Sequence, residues 1–174
     1  PCQTSADMMA IREYKKELSG IKVAWVGDGN NVCHSFMLGC ALSGISLVVA
    51  TPEGYEPKAG LVEMAEQLGG DITLTHDPEE AAGGADVLYT DVWVSMGEEA
   101  EREKRLAAFK GFQINERLLS LASPKCTVLH CLPAHRGEEI SDAVIEGEHS
   151  AVFAQAENRL HAQKALLYEV FGKP

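Results

Sequence analysis

A thiol, two imidazoles and a guanidinium crowd one short segment, His130-Cys131-Leu132-Pro133-Ala134-His135-Arg136-Gly137-Glu138-Glu139. Cys131 could act as a covalent nucleophile if His130 or His135 served as its base. The same groups invite a metal reading, because Cys131 and His135 are four apart and His130 is adjacent. A zinc site of that kind needs a second pair at related spacing. His34, His76, His149 and His161 are scattered, so no metal is expected. The segment follows Thr127-Val128-Leu129, an apolar run that reads as a buried strand. Open α/β sheets hold their ligands at the carboxyl ends of strands, so this segment reads as the wall of a small-molecule site.

Three other places carry polar groups in unusual settings. Gly27-x-Gly29 follows an apolar run and resembles the start of a dinucleotide fingerprint, with Glu53 about 20 residues on as the ribose acid. The third glycine of that fingerprint would fall at Val32, and Asn30-Asn31 are bulky, which argues against a nucleotide. A helix N-terminus with two amide side chains suits a small carboxylate instead, with one Asn serving as the cap. Asp91 stands at another strand end, ahead of Ser95-Met96-Gly97. Its carboxylate could hold a cationic amine, or merely cap a helix. Arg159 reads as opening the last helix, where the positive dipole end disfavours a cation, so it is expected to grip a ligand oxygen.

Positioning these groups requires short buried strands alternating with helices. Strands are predicted at Val23–Val26, Leu47–Ala50, Ile72–Leu74, Val87–Thr90 and Thr127–Leu129. Helices are predicted over Val32–Ser43, Gly60–Leu68 and Glu98–Phe109, with a short one capped by Asp77 and opened by Pro78. Cys33, Phe36, Met37 and Cys40 share one face of the first of these; Glu101 and Arg105 can pair along the third. The fold expected is α/β, a doubly wound parallel sheet of about five strands in three α/β/α layers, Rossmann-like. Further helices near 5–18 and 156–171 lie outside this alternation. The second carries a stripe of Ala156, Leu160, Leu167, Val170 and Phe171. They either bridge to a neighbouring domain or pack on their own sheet.

The bulk properties exclude several partners. The chain has 174 residues, enough for one domain, and 26 acidic against 15 basic residues give a net charge of −11. Such a surface repels a phosphate backbone, so no nucleic acid is expected. No apolar run is long enough to span a membrane. Five cysteines without framework spacing fit a reducing, cytoplasmic setting. The first residue is Pro1: either an initiator Met was removed or the chain is part of something longer.

Taken together, the segments resemble the ornithine carbamoyltransferases. They are Gly27-Asp28-Gly29-Asn30-Asn31-Val32-Cys33-His34-Ser35, Ala50-Thr51-Pro52-Glu53-Gly54-Tyr55-Glu56-Pro57, Asp91-Val92-Trp93-Val94-Ser95-Met96-Gly97, His130-Cys131-Leu132-Pro133 and Ala156-Glu157-Asn158-Arg159. They occur in family order along essentially the whole chain. The resemblance implies transfer of a carbamoyl group from carbamoyl phosphate to the δ-amine of L-ornithine, giving L-citrulline and phosphate without a cofactor. By the same resemblance, Asn31, Asp91, Ser95 and Met96 hold ornithine. Gln3, Cys131, Leu132 and Arg159 face the carbamoyl group, and Cys131, Asp91 and Arg159 are the catalytic set. The family's carbamoyl-phosphate domain and the histidine of its His-Pro-x-Gln motif would precede Pro1. Residues 1–174 are therefore expected to be the ornithine-binding domain, inactive alone and otherwise part of a trimer-based homo-oligomer. The alternative is a non-catalytic module that binds an amino acid or a partner.

Overall fold

The computed structural model describes residues 1–94, 97 and 99–172. Five strands form one sheet: β1 (Lys22–Val26), β2 (Ser46–Ala50), β3 (Asp71–Thr75), β4 (Val87–Thr90) and β5 (Thr127–His130). Their order is β3-β2-β1-β4-β5 and every pairing is parallel. β1, β4 and β5 are buried almost throughout, which is why they read as continuous apolar runs; β3 is the exposed edge.

Side chains alternate between the sheet's two faces, as the period of 2 requires. Ala24, Val26, Leu88 and Val128 join one core with Phe109, Ile114, Leu118 and Val144. Val23, Trp25, Val87, Tyr89 and Leu129 join the other with Ile11, Cys33, Phe36, Met37 and Ala65. The first core is covered by α4 (Pro78–Ala82), α5 (Arg102–Ala108), α6 (Glu116–Leu121) and α7 (Asp142–Ile145). The second is covered by α1 (Cys2–Lys15), α2 (Asn31–Ser43) and α3 (Ala59–Gln67). This is the three-layer α/β/α sandwich expected. The residues of the α2 face, Cys33, Phe36, Met37 and Cys40, are all fully buried.

The sheet order reverses direction between β1 and β4. Loops leaving those neighbouring strands diverge to opposite faces and open a crevice at their carboxyl ends, where such sheets bind ligands. Asn30 and Asn31 follow β1, Asp91 follows β4 and Cys131 follows β5. Topology alone brings these residues to one edge.

Several expectations need correction. α8 runs from Val152 to Phe171, starting four residues before Ala156. Arg159 is thus two turns inside the helix, and the argument from an unfavourable dipole end fails. Val152, Gln155 and Asn158 are the buried face of α8; Leu160, Leu167, Val170 and Phe171 are exposed, so that stripe does not pack on this sheet. α1 ends at Lys15, three residues short of the expected Leu18, with Lys16 in a left-handed turn (φ 74°). Arg105 does not lie along the surface beside Glu101: it turns inward, 9% exposed, to Asp28. The short helices α6 and α7, capped by Asn115 and Ser141, were not anticipated.

Candidate functional site

The site starts from the α2 cap. Asn30 Oδ1 accepts the backbone N–H groups of Val32 and Cys33, at 2.9 and 3.1 Å. Its amide nitrogen is then free to donate to Asp91 Oδ2 at 2.8 Å. Of the two asparagines, Asn30 is the cap, and Asn31 at the helix's first position lines the cavity. Gly29 permits this turn: a Cβ there would lie 2.3 Å from Pro57 N, because the segment Tyr55–Pro57 crosses directly over it. The second glycine of the Gly-x-Gly pair therefore serves a close approach of the chain's own backbone.

Asp91 is buried and collects three donors. Besides Asn30, Val92 N–H and the Cys131 thiol donate to Oδ1, at 2.8 and 2.9 Å. Burial and then the Asp91 charge push the Cys131 thiol far above the usual thiol range. Cys131 is therefore held as a neutral hydrogen-bond donor, the opposite of an activated nucleophile.

His130 is no base for it. Its Nδ1 accepts the Leu132 N–H at 2.9 Å, so Nε2 carries the ring proton and donates to the buried Glu139 Oε1 at 3.0 Å. Both ring nitrogens are engaged. Asp91, His130 and Cys131 converge to within 4.8 Å of one another, but the thiol is protonated and the imidazole has no free lone pair to offer a metal. The His130–Leu132 bond also helps hold Leu132 at φ 55°, a left-handed conformation that costs a side-chain-bearing residue about 1–2 kcal/mol.

A cavity of about 460 Å³ opens between these groups, lined by Asn31, Asp91, Val94, Arg102, Cys131, Leu132, Pro133 and His135 among others. One side offers a carboxylate and amides, the other an apolar wall. That pattern suits an amino acid with a cationic group at one end. A larger cleft, about 690 Å³, lies beside Lys15, Cys126 and His149 at the strands' amino ends, the end of the sheet opposite to the one where this topology binds ligands.

Gln3 and Arg159 meet at the other side of the site. Arg159 donates to Gln3 Oε1 at 2.6 Å, and Gln3 Nε2 donates to Asp7 Oδ1 at 2.7 Å. Gln155 also donates to Asp7 Oδ1, at 2.7 Å, and its own Oε1 accepts the His130 backbone N–H at 2.9 Å. Tyr89 donates to Asp7 Oδ2 at 3.0 Å. A continuous chain of bonds thus runs from Arg159 through Gln3, Asp7 and Gln155 to the Cys131 loop. Burial raises the Asp7 carboxyl to about 6, against the lowering effect of its three donors and of Arg159. Arg159 Nε is buried with no acceptor among the described residues.

The structure therefore gathers Asn31, Asp91, Cys131 and Leu132 around one cavity, and Gln3 with Arg159 on an adjoining network. Ser95 and Met96 lie outside the described residues. Sequence reasoning missed Asp7, Gln155, Tyr89, Arg102 and Glu139, and named Asn30 without its bond to Asp91. Two signals were present: Gln3 and Asp7, and Gln155 and Arg159, are each four apart, so each pair shares a helix face.

Comparison with known proteins identifies the family of the chain. Residues 19–170 match the family described as aspartate/ornithine carbamoyltransferase, Asp/Orn binding domain. An ornithine carbamoyltransferase of Methanosarcina acetivorans is 58% identical over 170 residues, covering 98% of this chain and 56% of the relative. One of Archaeoglobus fulgidus is 54% identical over 173 residues, covering 99% of this chain and 56% of the relative. The solved ornithine carbamoyltransferase of Pyrococcus furiosus superposes with a TM-score of 0.94 at 52% identity, covering 100% of this chain and 57% of that one. The chain spans a little over half the length of the curated relatives it matches. It belongs to the aspartate/ornithine carbamoyltransferase family, as an Asp/Orn binding domain.

Proposed function

We propose that this chain is the L-ornithine-binding half of an ornithine carbamoyltransferase, residues 1–174 forming one domain that works with a separate carbamoyl-phosphate-binding domain. The observation that carries this is the cluster of Asp91, with donors Asn30, Val92 and Cys131, facing the cavity that Asn31 also lines. A buried carboxylate with no ion pair among the described residues suits the α-ammonium of an amino acid. Asn31, at a helix N-terminus, suits its α-carboxylate. Ser95 and Met96 complete the ornithine set in this reading.

The reaction needs position more than chemistry. The neutral δ-amine attacks the carbamoyl carbon, a C–N bond forms, and the C–O bond to phosphate breaks with its electron pair leaving on phosphate. The amine then loses a proton. Negative charge gathers on the carbamoyl oxygen as the amine adds, and Arg159 is the cation assigned to it, with Gln3 alongside. Arg159's unpaired Nε is consistent with a further acceptor there. Leu132, held with its N–H turned onto His130, and the Cys131 thiol orient the carbamoyl amide and the amine. No step requires a cofactor. The exposed apolar residues of α8 would be covered by the second domain. A trimer-based assembly and a cytoplasmic location follow from the same reading.

The test is a chimera joining this chain to the remaining portion of the Methanosarcina acetivorans relative. Citrulline formation from ornithine and carbamoyl phosphate is expected, and lost in Asp91→Ala. A folded chimera that binds carbamoyl phosphate yet makes no citrulline would sink the proposal. Tight ornithine binding by the chain alone, measured by calorimetry, would favour the alternative of a free-standing binding module.

A further inference from the structure

The turn after the Cys131 loop contains a cluster that the proposed reaction leaves unused. His135, Glu138 and Glu139 each present one ligand atom, and these atoms lie within 4.8 Å of one another. Glu139 is fully buried. Its Oε1 is committed to the His130 ring and to the His135 backbone N–H at 2.5 Å. Its Oε2 is buried and has no hydrogen-bond donor among the described residues; it faces His135 Nδ1 at 3.9 Å, too far for a hydrogen bond. Glu138 repeats the pattern: one oxygen is paired with Arg102, and Oε2 is buried without a partner among the described residues. Two buried carboxylate oxygens with no partner among the described residues, one of them facing an imidazole, are an expensive arrangement to leave empty.

We propose that His135, Glu138 and Glu139 form a site for a divalent transition-metal ion of the zinc type. One imidazole nitrogen with two carboxylate oxygens is a donor set that zinc, cobalt and nickel accept and calcium does not favour. Two donors each about 2.1 Å from one ion can be at most about 4.2 Å apart. The 3.9 Å separation of His135 Nδ1 and Glu139 Oε2 falls inside that limit. The three ligand atoms lie within 4.8 Å of one another, so closing onto one ion takes a modest adjustment of the side chains, of which His135 is 47% exposed. The backbone that carries them is fixed: Gly137 N–H bonds Ile140 O at 2.9 Å, and Gln113 donates to Glu138 O at 2.8 Å. The sequence argued against a metal because it offered no second Cys/His pair; the turn supplies carboxylates instead. The site is coupled to the cavity. An ion on Glu138 competes for the carboxylate that holds Arg102, and Glu139 is the group that holds His130.

The experiment is a cobalt(II) titration of this chain by absorption, with zinc as competitor. One equivalent is expected to give d–d bands without a thiolate-to-cobalt charge-transfer band, and Cys131→Ser leaves them unchanged. His135→Ala and Glu138→Gln, both at partly exposed positions, each weaken binding at least about tenfold, since loss of an outer-shell partner alone costs about 10–100-fold. Three results would overturn the proposal. A charge-transfer band abolished by Cys131→Ser puts the ion on Asp91, His130 and Cys131. Binding untouched by both His135→Ala and Glu138→Gln puts it elsewhere. No binding in a folded chain rules out an ion at the cluster.

Discussion

The two sides of the site are built differently. The side around Asp91 rests on strand ends in the middle of the sheet, and its carboxylate is held by fixed neighbours, Asn30, Val92 and Cys131, with the buried pair of Arg105 and Asp28 at 3.0 Å tying the same loops. The side around Gln3 and Arg159 rests on α1 and α8, two helices packed on each other, of which α8 leaves its apolar outer face in solvent. Its polar groups are tied to one another, and Arg159 Nε has no acceptor among the described residues. The first side is organised to receive a ligand as it stands. The second is held in place by an internal relay but lacks a covering surface.

Breaking the rigid side should have the largest effect on folding. Arg105 also donates to Trp93 O and stacks over the Tyr55 ring at 5.1 Å, so it joins the loops after β1, β2 and β4. Arg105→Ala removes the buried ion pair with Asp28 together with the contacts to Trp93 and Tyr55, and about 3–5 kcal/mol of stability should be lost, read from the urea midpoint. The double change Asp28→Leu with Arg105→Met should cost less than Arg105→Ala alone; if it costs more, the pair is not the organising contact. Arg159→Ala tests the other side. In the chimera it should lower turnover about 100- to 1000-fold, or about 2.7–4 kcal/mol of transition-state stabilisation. Because the helix is complete around it, the urea midpoint should hardly move. An unchanged turnover number would remove Arg159 from the chemistry.

The relay between the two sides carries a pH signature. Asp7 ionises at about 6 in the fold against an ordinary 3.8, because burial disfavours its charge. The folded state therefore holds the proton more tightly than the unfolded chain. That contribution to stability is fully present below pH ~4 and is lost as pH rises through about 6. Two pH units correspond to roughly 3 kcal/mol. Asp7→Asn can keep every bond, with Oδ1 accepting from Gln3 and Gln155 and the new amide donating to Tyr89. Its stability relative to the parent should therefore improve between pH 4 and pH 7. Parallel curves for the two proteins would show that Asp7 does not titrate in this window.

What could be read from the sequence follows the range of each interaction. β4 was legible to the residue, because Val87–Thr90 is buried on both faces. The Asp77 cap was legible because capping is local. The pairing of Arg105 with Asp28 spans 77 positions, and a helical i,i+4 partner at Glu101 looked sufficient until tertiary burial decided otherwise. α6 and α7 are too short, at 6 and 4 residues, to show a helical period. The start of α8 was misplaced because Val152 and Phe153 look like strand or loop residues out of context. The members of the cavity were recognisable, but not their bonding: nothing in one dimension shows that Asn30 rather than Asn31 reaches Asp91.

The smallest effect discriminates most sharply between a wall and a nucleophile. Cys131→Ala removes one of three donors to Asp91 and leaves the bonds from Asn30 and Val92. A hydrogen bond to a charged group is worth about 1.5–3 kcal/mol, and the thiol is a weak donor, so about 1 kcal/mol is expected. In the chimera this should appear mainly as a raised KM for ornithine, with much of kcat retained. Cys131→Ser, which restores a donor to Oδ1, should recover part of that KM. A covalent nucleophile would behave otherwise: alanine would abolish turnover at every ornithine concentration. The protonated thiol, held by the carboxylate that is assigned to the amine, predicts the former outcome.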